Sequence, residues 1–326
     1  MLDSNPPITW IMPVRNGMPY LPLTLQSIAN QTYRNHSIIV WDNGSTDGTL
    51  EVLQEWIPSK IPGLIVKDHP LRLGPAMAAL VERATTELCS VIHGDDINFP
   101  TRLERQVAFM QTHPSAGVVG GQIEIIDDHG TVVNTGGWLY ETDDASARWR
   151  TRWQAQFCHP AVMLRRSAVL AAGNYRDMQP FEDLDLWVRL AAVAEFGNLP
   201  EKVLQYRRST TSSTGTIEDY FPMDRQAAEK NWQILFPGVE DRDHAMDLWE
   251  ATYPTHLDSA SKLRHYFEIK RAAVEFADRV GKPPDYFTGT SIFEVQRYML
   301  RKRLLDRAGL SPLIRLRHRI AAGHSA

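Results

Sequence analysis

The chain has 326 residues, 43% hydrophobic and 23% charged, with a formal charge of −4 at pH 7. This suits a globular enzyme of one large or two modest domains and excludes a broadly basic nucleic-acid binder. Cys89 and Cys158 lack metal-ligand spacing and read as reduced thiols; Met1-Leu2-Asp3-Ser4-Asn5-Pro6-Pro7 does not read as a signal peptide, and no stretch reaches the ~20 apolar residues of a bilayer span.

Residues 1–115 alternate strand and helix signals. Ile8 to Met12 is a β-rich run ended by Pro13. Leu21 to Ala29 has helical spacing. Ser37 to Trp41 is a second apolar run that ends in Asp42-Asn43-Gly44-Ser45-Thr46-Asp47-Gly48. Thr49 to Trp56 reads helical, with Ser45, Thr46 or Asp47 as candidate N-caps. Leu64 to Val66 is a third strand, Pro75 to Thr86 an Ala-rich helix, and Cys89 to Ile92 a fourth strand. This β-α-β-α order predicts a parallel sheet with helices on both faces. Gly117 to Ile126 and Thr131 to Asn134 then read as a hairpin across Asp127-Asp128-His129-Gly130. Ala161 to Leu164 is a short strand and Glu182 to Ala194 an amphipathic helix. A polar run over 209–215 marks the best boundary. Beyond it, Ile217 to Phe236, Asp241 to Thr252, Ser259 to Val280 and Ser291 to Ala308 read helical. Their aromatics, Trp232, Phe236, Trp249, Tyr253, Tyr266 and Phe267, fit a buried core better than an acceptor platform.

Three loops each follow a strand and should converge on one sheet edge: Pro13-Val14-Arg15-Asn16-Gly17, the run from Asp42 to Asp47, and Gly94-Asp95-Asp96. Open α/β sheets bind ligands at that edge. Adjacent carboxylates repel unless a cation or donor network compensates, and hard oxygen ligands suit Mg2+ or Mn2+ holding substrate phosphates. Together the loops can hold a nucleotide diphosphate. Taken singly, each is equally ordinary turn chemistry, and Asp95-Asp96 could be a solvated acidic turn.

These segments resemble family 2 glycosyltransferases of the bacterial type, which are inverting enzymes with the GT-A fold. Ile39 to Gly48 resembles the family's second-strand motif, and His93-Gly94-Asp95-Asp96 its D-x-D-type metal site. Pro100 with Arg102-Leu103-Glu104 matches the following helix. His159-Pro160-Ala161-Val162-Met163 and Glu182-Asp183-Leu184-Asp185-Leu186-Trp187 match acceptor-side motifs, and Asn198-Leu199-Pro200 and Tyr206-Arg207 close the pattern. The resemblance implies a Rossmann-like mixed sheet flanked by helices, followed by a helical C-terminal region. The expected domains are a catalytic domain over 1–210, with a nucleotide-binding half over 1–115 and an acceptor half over 116–210, and a helical region over 211–326.

By the same resemblance, Asp42 contacts a pyrimidine and Arg15 lies beside base or ribose. Pro13, Asn16 and Arg72 join the nucleotide site, Asp95 and Asp96 serve ribose and metal (Mg2+ or Mn2+), and Asp183 is the catalytic base, with Glu182 as fallback. Asp185 is expected to turn away from the site. The implied reaction moves a sugar from a nucleotide donor, UDP-linked by expectation, to a glycan or lipid-linked acceptor in polysaccharide or cell-envelope synthesis. The rivals are a non-catalytic sugar-nucleotide or glycan-binding module on the same fold and a nucleotidyltransferase. Two departures stand out: His93 replaces the first carboxylate of D-x-D, where it could be a ligand or a hydrogen-bonded structural histidine, and Asn43 stands where a carboxylate is common. His159 could likewise reach the metal or pack beneath the site.

Charge is uneven. Residues 297–326 carry eight Lys/Arg and one acidic residue, Asp306, for +7; the other residues have 27 basic and 38 acidic groups, for −11. Arg297, Arg301, Lys302, Arg303 and Arg307 interleave with Tyr298, Met299, Leu300, Leu304 and Leu305, the pattern of a basic helix on an anionic bilayer. A solvated helix packed on the enzyme body fits the same residues. The expected location is cytoplasmic, with peripheral contact at the inner face of the membrane and no nucleic-acid partner.

Overall fold

The computed structural model describes residues 2–133, 139–178, 181–208, 221–252 and 265–287. The chain divides into two compact units, Met1–Pro237 and Gly238–Ala326.

In the first unit, β1 (Ile8–Val14), β2 (His36–Asp42), β3 (Gly63–Val66) and β4 (Leu88–Val91) run parallel, with β1 between β2 and β4. Strands covered on both faces must be apolar throughout. Accordingly Ile8, Trp10, Ile11 and Met12 are fully buried. Successive side chains alternate between two cores. Trp10, Val40 and Met163 pack on one face of the sheet; Ile11, Trp41 and Leu164 pack on the other. The parallel sheet then turns mixed. β7 (Met163–Arg165) pairs antiparallel with both β4 and β6 (Ala116–Ile126). β8 (Glu195–Arg207) runs parallel to β6, and the two-residue β5 (Ile97–Asn98) closes the far edge.

Helices α1 (Leu21–Ala29), α2 (Thr49–Trp56), α3 (Leu73–Arg83) and α4 (Arg102–Thr112) connect the first strands. The α2 N-cap position is Gly48, at φ +93°, rather than Ser45, Thr46 or Asp47. Ser45 and Thr46 bond to Asn16 in the neighbouring loop, Asp47 accepts from Thr49 N–H from one position before the cap, and only glycine takes that φ without steric cost. Residues 159–161 form a 3-10 turn instead of opening a strand, because Pro160 has no N–H for a ladder; pairing starts at Met163. The turn after β6 closes through Asp127 N–H to Thr131 O and Gly130 N–H to Asp127 O, both 3.0 Å, and Val132 bridges back to Ile126. Asn134, at the end of the predicted hairpin, lies outside the described residues.

Helices α5 (Asp144–Arg150), α6 (Arg166–Ala171) and α7 (Glu182–Leu190) follow. The sequence predicts an amphipathic helix over Glu182 to Ala194 for the last of these. It is shorter and buried along nearly its whole length, with Asp183 the one residue not fully enclosed. α8 (Phe221–Lys230) and α9 (Trp232–Leu235) belong to the same unit, and Asn231 between them donates to Asp185 Oδ1 at 2.8 Å. The polar run 209–215 lies outside the described residues.

The second unit contains α10 (Arg242–Thr252) and α11 (Tyr266–Arg279). Trp249 is fully buried, Phe236 of the first unit nearly so, Trp232 and Tyr266 are half-buried, and Phe267 is 74% exposed. Burial thus accounts for part of the aromatic series. Tyr253, the predicted helix 291–308 and the basic tail lie outside the described residues. Among the described residues no helix is long and apolar enough to cross a membrane.

Candidate functional site

The parallel register sets Val14 level with Asp42 and Ile11 level with Val91, so the exits of β1, β2 and β4 meet at one edge. The first two loops are stitched together by turn residues. Asn16 N–H donates to Ser45 Oγ at 2.9 Å, and Thr46 N–H to Asn16 Oδ1 at 2.9 Å. Asp47 accepts from Met18 N–H at 2.9 Å and Thr49 N–H at 3.1 Å. Asn16 adopts φ +53°, which asparagine tolerates better than most residues. Pro13 pairs with Trp41 in the ladder, Arg15 is exposed, and Asp42 is buried with Oδ1 accepting from Ser45 N–H at 3.2 Å.

Asn43 uses both ends of its amide. Its Nδ2 donates to Leu71 O, and its Oδ1 accepts from Leu71 N–H, each at 2.6 Å. A carboxylate accepts but cannot donate, which accounts for the amide here. This clasp sets the segment carrying Arg72, whose guanidinium meets Asp177 at 3.3 Å. Gly74 then allows α3 to approach the entrance of α7: a Cβ there would stand 2.0 Å from Arg176 O and 3.2 Å from Glu182 Cβ.

At the exit of β4, Asp96 is fully buried. Its Oδ1 accepts from Arg207 N–H at 2.8 Å and its carbonyl from Thr24 Oγ1 at 2.8 Å, but Oδ2 has no hydrogen-bond partner. Burial first, and the charge of Asp95 second, push its carboxyl well above the ordinary range. Arg207 braces the doublet through Nε to Asp95 O at 3.0 Å and Nη1 to Asp127 O at 2.6 Å, with its guanidinium 4.2 Å from the centre of the Tyr20 ring. His93 Nε2 is enclosed and also without a partner. One ligand atom each from His93, Asp95 and Asp96 lies within 4.8 Å of the others. Two carboxylates and an imidazole with orphaned atoms in so small a volume fit a divalent cation that accepts oxygen and nitrogen donors. The unpartnered Nε2 disfavours the hydrogen-bonded structural reading of His93.

From His93 the site continues toward α7. The His93 and His159 rings meet edge-on at 5.3 Å between centroids, and His159 Nε2 shares a 2.9 Å hydrogen bond with Tyr175 Oη. Burial holds both imidazoles below the usual histidine range. Cys158 shows the convergence directly. Burial pushes its thiol well up, and the charges of Asp96, Asp183 and Asp95 push the same way. Carboxylates from the β4 exit and from α7 therefore act electrostatically on one thiol.

Glu182 and Asp183 open α7 in different environments. Glu182 is 3% exposed with Oε2 unpartnered, and burial followed by the neighbouring Asp183 raises its carboxyl to about 8. Asp183 retains access to solvent, accepts from Leu184 N–H at 2.8 Å, and is raised by burial to about 6. Both carboxyls are shifted upward, Glu182 further than Asp183, so Asp183 is the readier of the two to carry a negative charge. Asp185 is held by Arg189 at 2.7 Å and Asn231 at 2.8 Å. Arg207, Tyr175 and Cys158 carry no local signal of a place in the site beyond the Tyr206-Arg207 pair of the family pattern.

The sequence model of the family described as Glycosyl transferase family 2 matches residues 9–172. EpsE of Bacillus subtilis (strain 168), assigned by name to the glycosyltransferases, is 31% identical over 215 residues, 64% of this chain and 76% of its own. The amylovoran biosynthesis glycosyltransferase AmsE of Erwinia amylovora is 28% identical over 185 residues, 56% of this chain and 68% of its own. Among solved structures, S. aureus TarS 1-349 in complex with UDP-GlcNAc superposes with a TM-score of 0.59 at 16% identity, covering 95% of this chain and 92% of that one. The mannosyltransferase PcManGT of Pyrobaculum calidifontis, in complex with GDP-Man and Mn2+, gives 0.51 at 16% identity over 93% and 88%. Sequence and fold agree: the chain belongs to glycosyl transferase family 2 and carries the GT-A architecture.

Proposed function

We propose that the chain transfers a sugar from a UDP-linked donor to a hydroxyl of a glycan or lipid-linked acceptor, inverting the anomeric centre. The observation that carries this reading is the His93-Asp95-Asp96 cluster at the β4 exit, which continues through the His159 ring to Tyr175, with Asp183 acting on the same buried thiol, Cys158, as Asp95 and Asp96. It supports a reading in which a diphosphate-binding pair and a separate ionised carboxylate serve one site. In this reading Asp42 receives the pyrimidine, Arg15 lies beside base or ribose, and Arg72 lies near the diphosphate. Pro13 and Asn16 shape the loop beneath the nucleoside. Asp95 takes ribose hydroxyls, and with Asp96 and His93 would hold Mg2+ or Mn2+, which when bound offsets charge on the departing diphosphate. TarS in complex with UDP-GlcNAc supports a uridine donor, and PcManGT in complex with GDP-Man and Mn2+ supports the metal.

Asp183 accepts the acceptor hydroxyl proton as that oxygen attacks the anomeric carbon and the bond to the diphosphate oxygen breaks. Glu182 keeps its proton, so the pair carries one charge, on the carboxylate that remains accessible. One displacement inverts the centre with no covalent sugar–enzyme intermediate. The catalytic work falls within residues 1–210, and the basic tail brings the enzyme to an anionic membrane surface.

Asp183→Asn tests the assignment. The amide cannot take the proton, so kcat for UDP-sugar transfer should fall about 10²–10⁴-fold, the usual range for a general base. UDP affinity, measured calorimetrically with Mn2+, should stay unchanged. Retained transfer would remove Asp183 from the role, and lost UDP binding would reassign it to the donor. Release of pyrophosphate instead of UDP would mark a nucleotidyltransferase.

A further inference from the structure

The second unit contains a cluster that sugar transfer does not use. His244 stands in the first turn of α10; His265 caps α11, and Glu268 follows three residues later on the same helix. Glu268 Oε2 lies 2.8 Å from His244 Nε2, and Oε1 lies 3.5 Å from His265 Nδ1. The two imidazole rings are 5.7 Å apart between centroids. One ligand atom from each residue falls within 4.8 Å of the others.

The ordinary account is a hydrogen-bonded clasp between two helices. It covers His244 but not His265. That side chain is 5% exposed, and its Nδ1 is enclosed without a hydrogen-bond partner. At 3.5 Å the approach to Glu268 is too long for a good N–H···O bond. A buried ring nitrogen facing a carboxylate at 3.5 Å, beside a second imidazole and without a well-formed hydrogen bond, is an arrangement a metal ion completes. Two imidazoles and one carboxylate suit Zn2+ and neighbouring first-row transition metals; Mg2+ and Ca2+ prefer all-oxygen shells. His244 and Glu268 are each more than a third exposed, which leaves a coordination position open to water.

We propose that His244, His265 and Glu268 form a Zn2+-class site that cross-links α10 to α11, separate from the His93-Asp95-Asp96 group. The site needs neutral imidazoles and an ionised carboxylate and involves no change of oxidation state.

The test uses the full chain, stripped with a chelator and then titrated with Zn2+ by calorimetry in excess Mg2+. Magnesium competes at the carboxylate pair while leaving imidazole donors to zinc. The wild type should bind one zinc equivalent more than His244→Gln, and likewise one more than Glu268→Gln. X-ray absorption of the zinc-loaded wild type should show two imidazole nitrogens. Circular dichroism checks the fold of each variant, and the absorption spectrum of the wild type decides alone if both unfold. Equal zinc uptake by all three proteins would overturn the proposal. So would no uptake by the wild type, which leaves a plain hydrogen-bonded clasp, or a spectrum with a single imidazole, which assigns the zinc to the first group.

Discussion

Individual side chains carry the chemistry through what surrounds them. Glu182 and Asp183 are adjacent carboxylates, yet one is sealed with an unpartnered oxygen and the other is accessible. Burial raises the Glu182 carboxyl to about 8, above the ordinary 4.5, so the folded state holds a proton that the unfolded chain releases across that window. The unfolded state binds fewer protons there, so this residue's contribution to stability is full below about pH 4.5 and is lost as pH rises through 8. Glu182→Gln has no such titration. The melting temperature of the variant minus that of the wild type should therefore climb by several degrees between acid and mildly alkaline pH. Parallel melting curves across that range would show that Glu182 ionises normally. His93 and Asn43 follow the same logic of environment: the first leaves a nitrogen free beside two carboxylates, and the second needs an amide because it both donates to and accepts from Leu71.

The elements that position the site are held by buried cations as well as by apolar packing. Arg102 opens α4 and is fully buried. Its Nη1 donates to Asn98 Oδ1 at 2.6 Å and Pro160 O at 2.7 Å, and its Nη2 to Val91 O at 2.9 Å and Val162 O at 3.0 Å. One guanidinium thus ties α4 to the exit of β4 and to the turn that carries His159. Burial lowers its pKa to about 9, still charged at neutral pH. Half of its six acceptors are backbone carbonyls, which no second substitution can remove; Asn98, Gln106 and Ser90 supply the rest from side chains. Arg102→Met should therefore cost about 3–5 kcal/mol, the range for leaving buried polar partners uncompensated. Urea unfolding checks this: the midpoint should fall with the slope unchanged, and a midpoint near wild type would deny Arg102 an anchoring role. Gly74 does comparable positioning by lacking a side chain, since it lets α3 meet the backbone of Arg176 and the Glu182 Cβ that opens α7.

At the scale of the whole molecule, the sheet and its site occupy the first unit, and the +7 tail of residues 297–326 is offset by −11 in the rest of the chain. Basic residues near an anionic surface contribute about 1 kcal/mol each. The full chain should float with anionic liposomes in a salt-sensitive way, and a chain lacking residues 297–326 should not; equal flotation would remove the tail from membrane contact. By itself the sequence determined the alternation of strands and helices, the three loops after β1, β2 and β4, and the family. Those signals are local: apolar runs of strand length, helical spacing, and turn residues whose side chains bond within a few positions or to the next loop. The family resemblance implied a mixed sheet, but tertiary structure decided which strands pair in its mixed half and the short β5, because pairing between β5 and β8 joins residues about a hundred positions apart. It also decided which charges are buried and by what. Asp96 meets Arg207 across 111 positions, and the orphaned nitrogen of His93 is visible only once its neighbours are in place. A charged group's ionisation and reach depend on desolvation and on partners brought by distant parts of the chain, and neither quantity is written in the residues beside it.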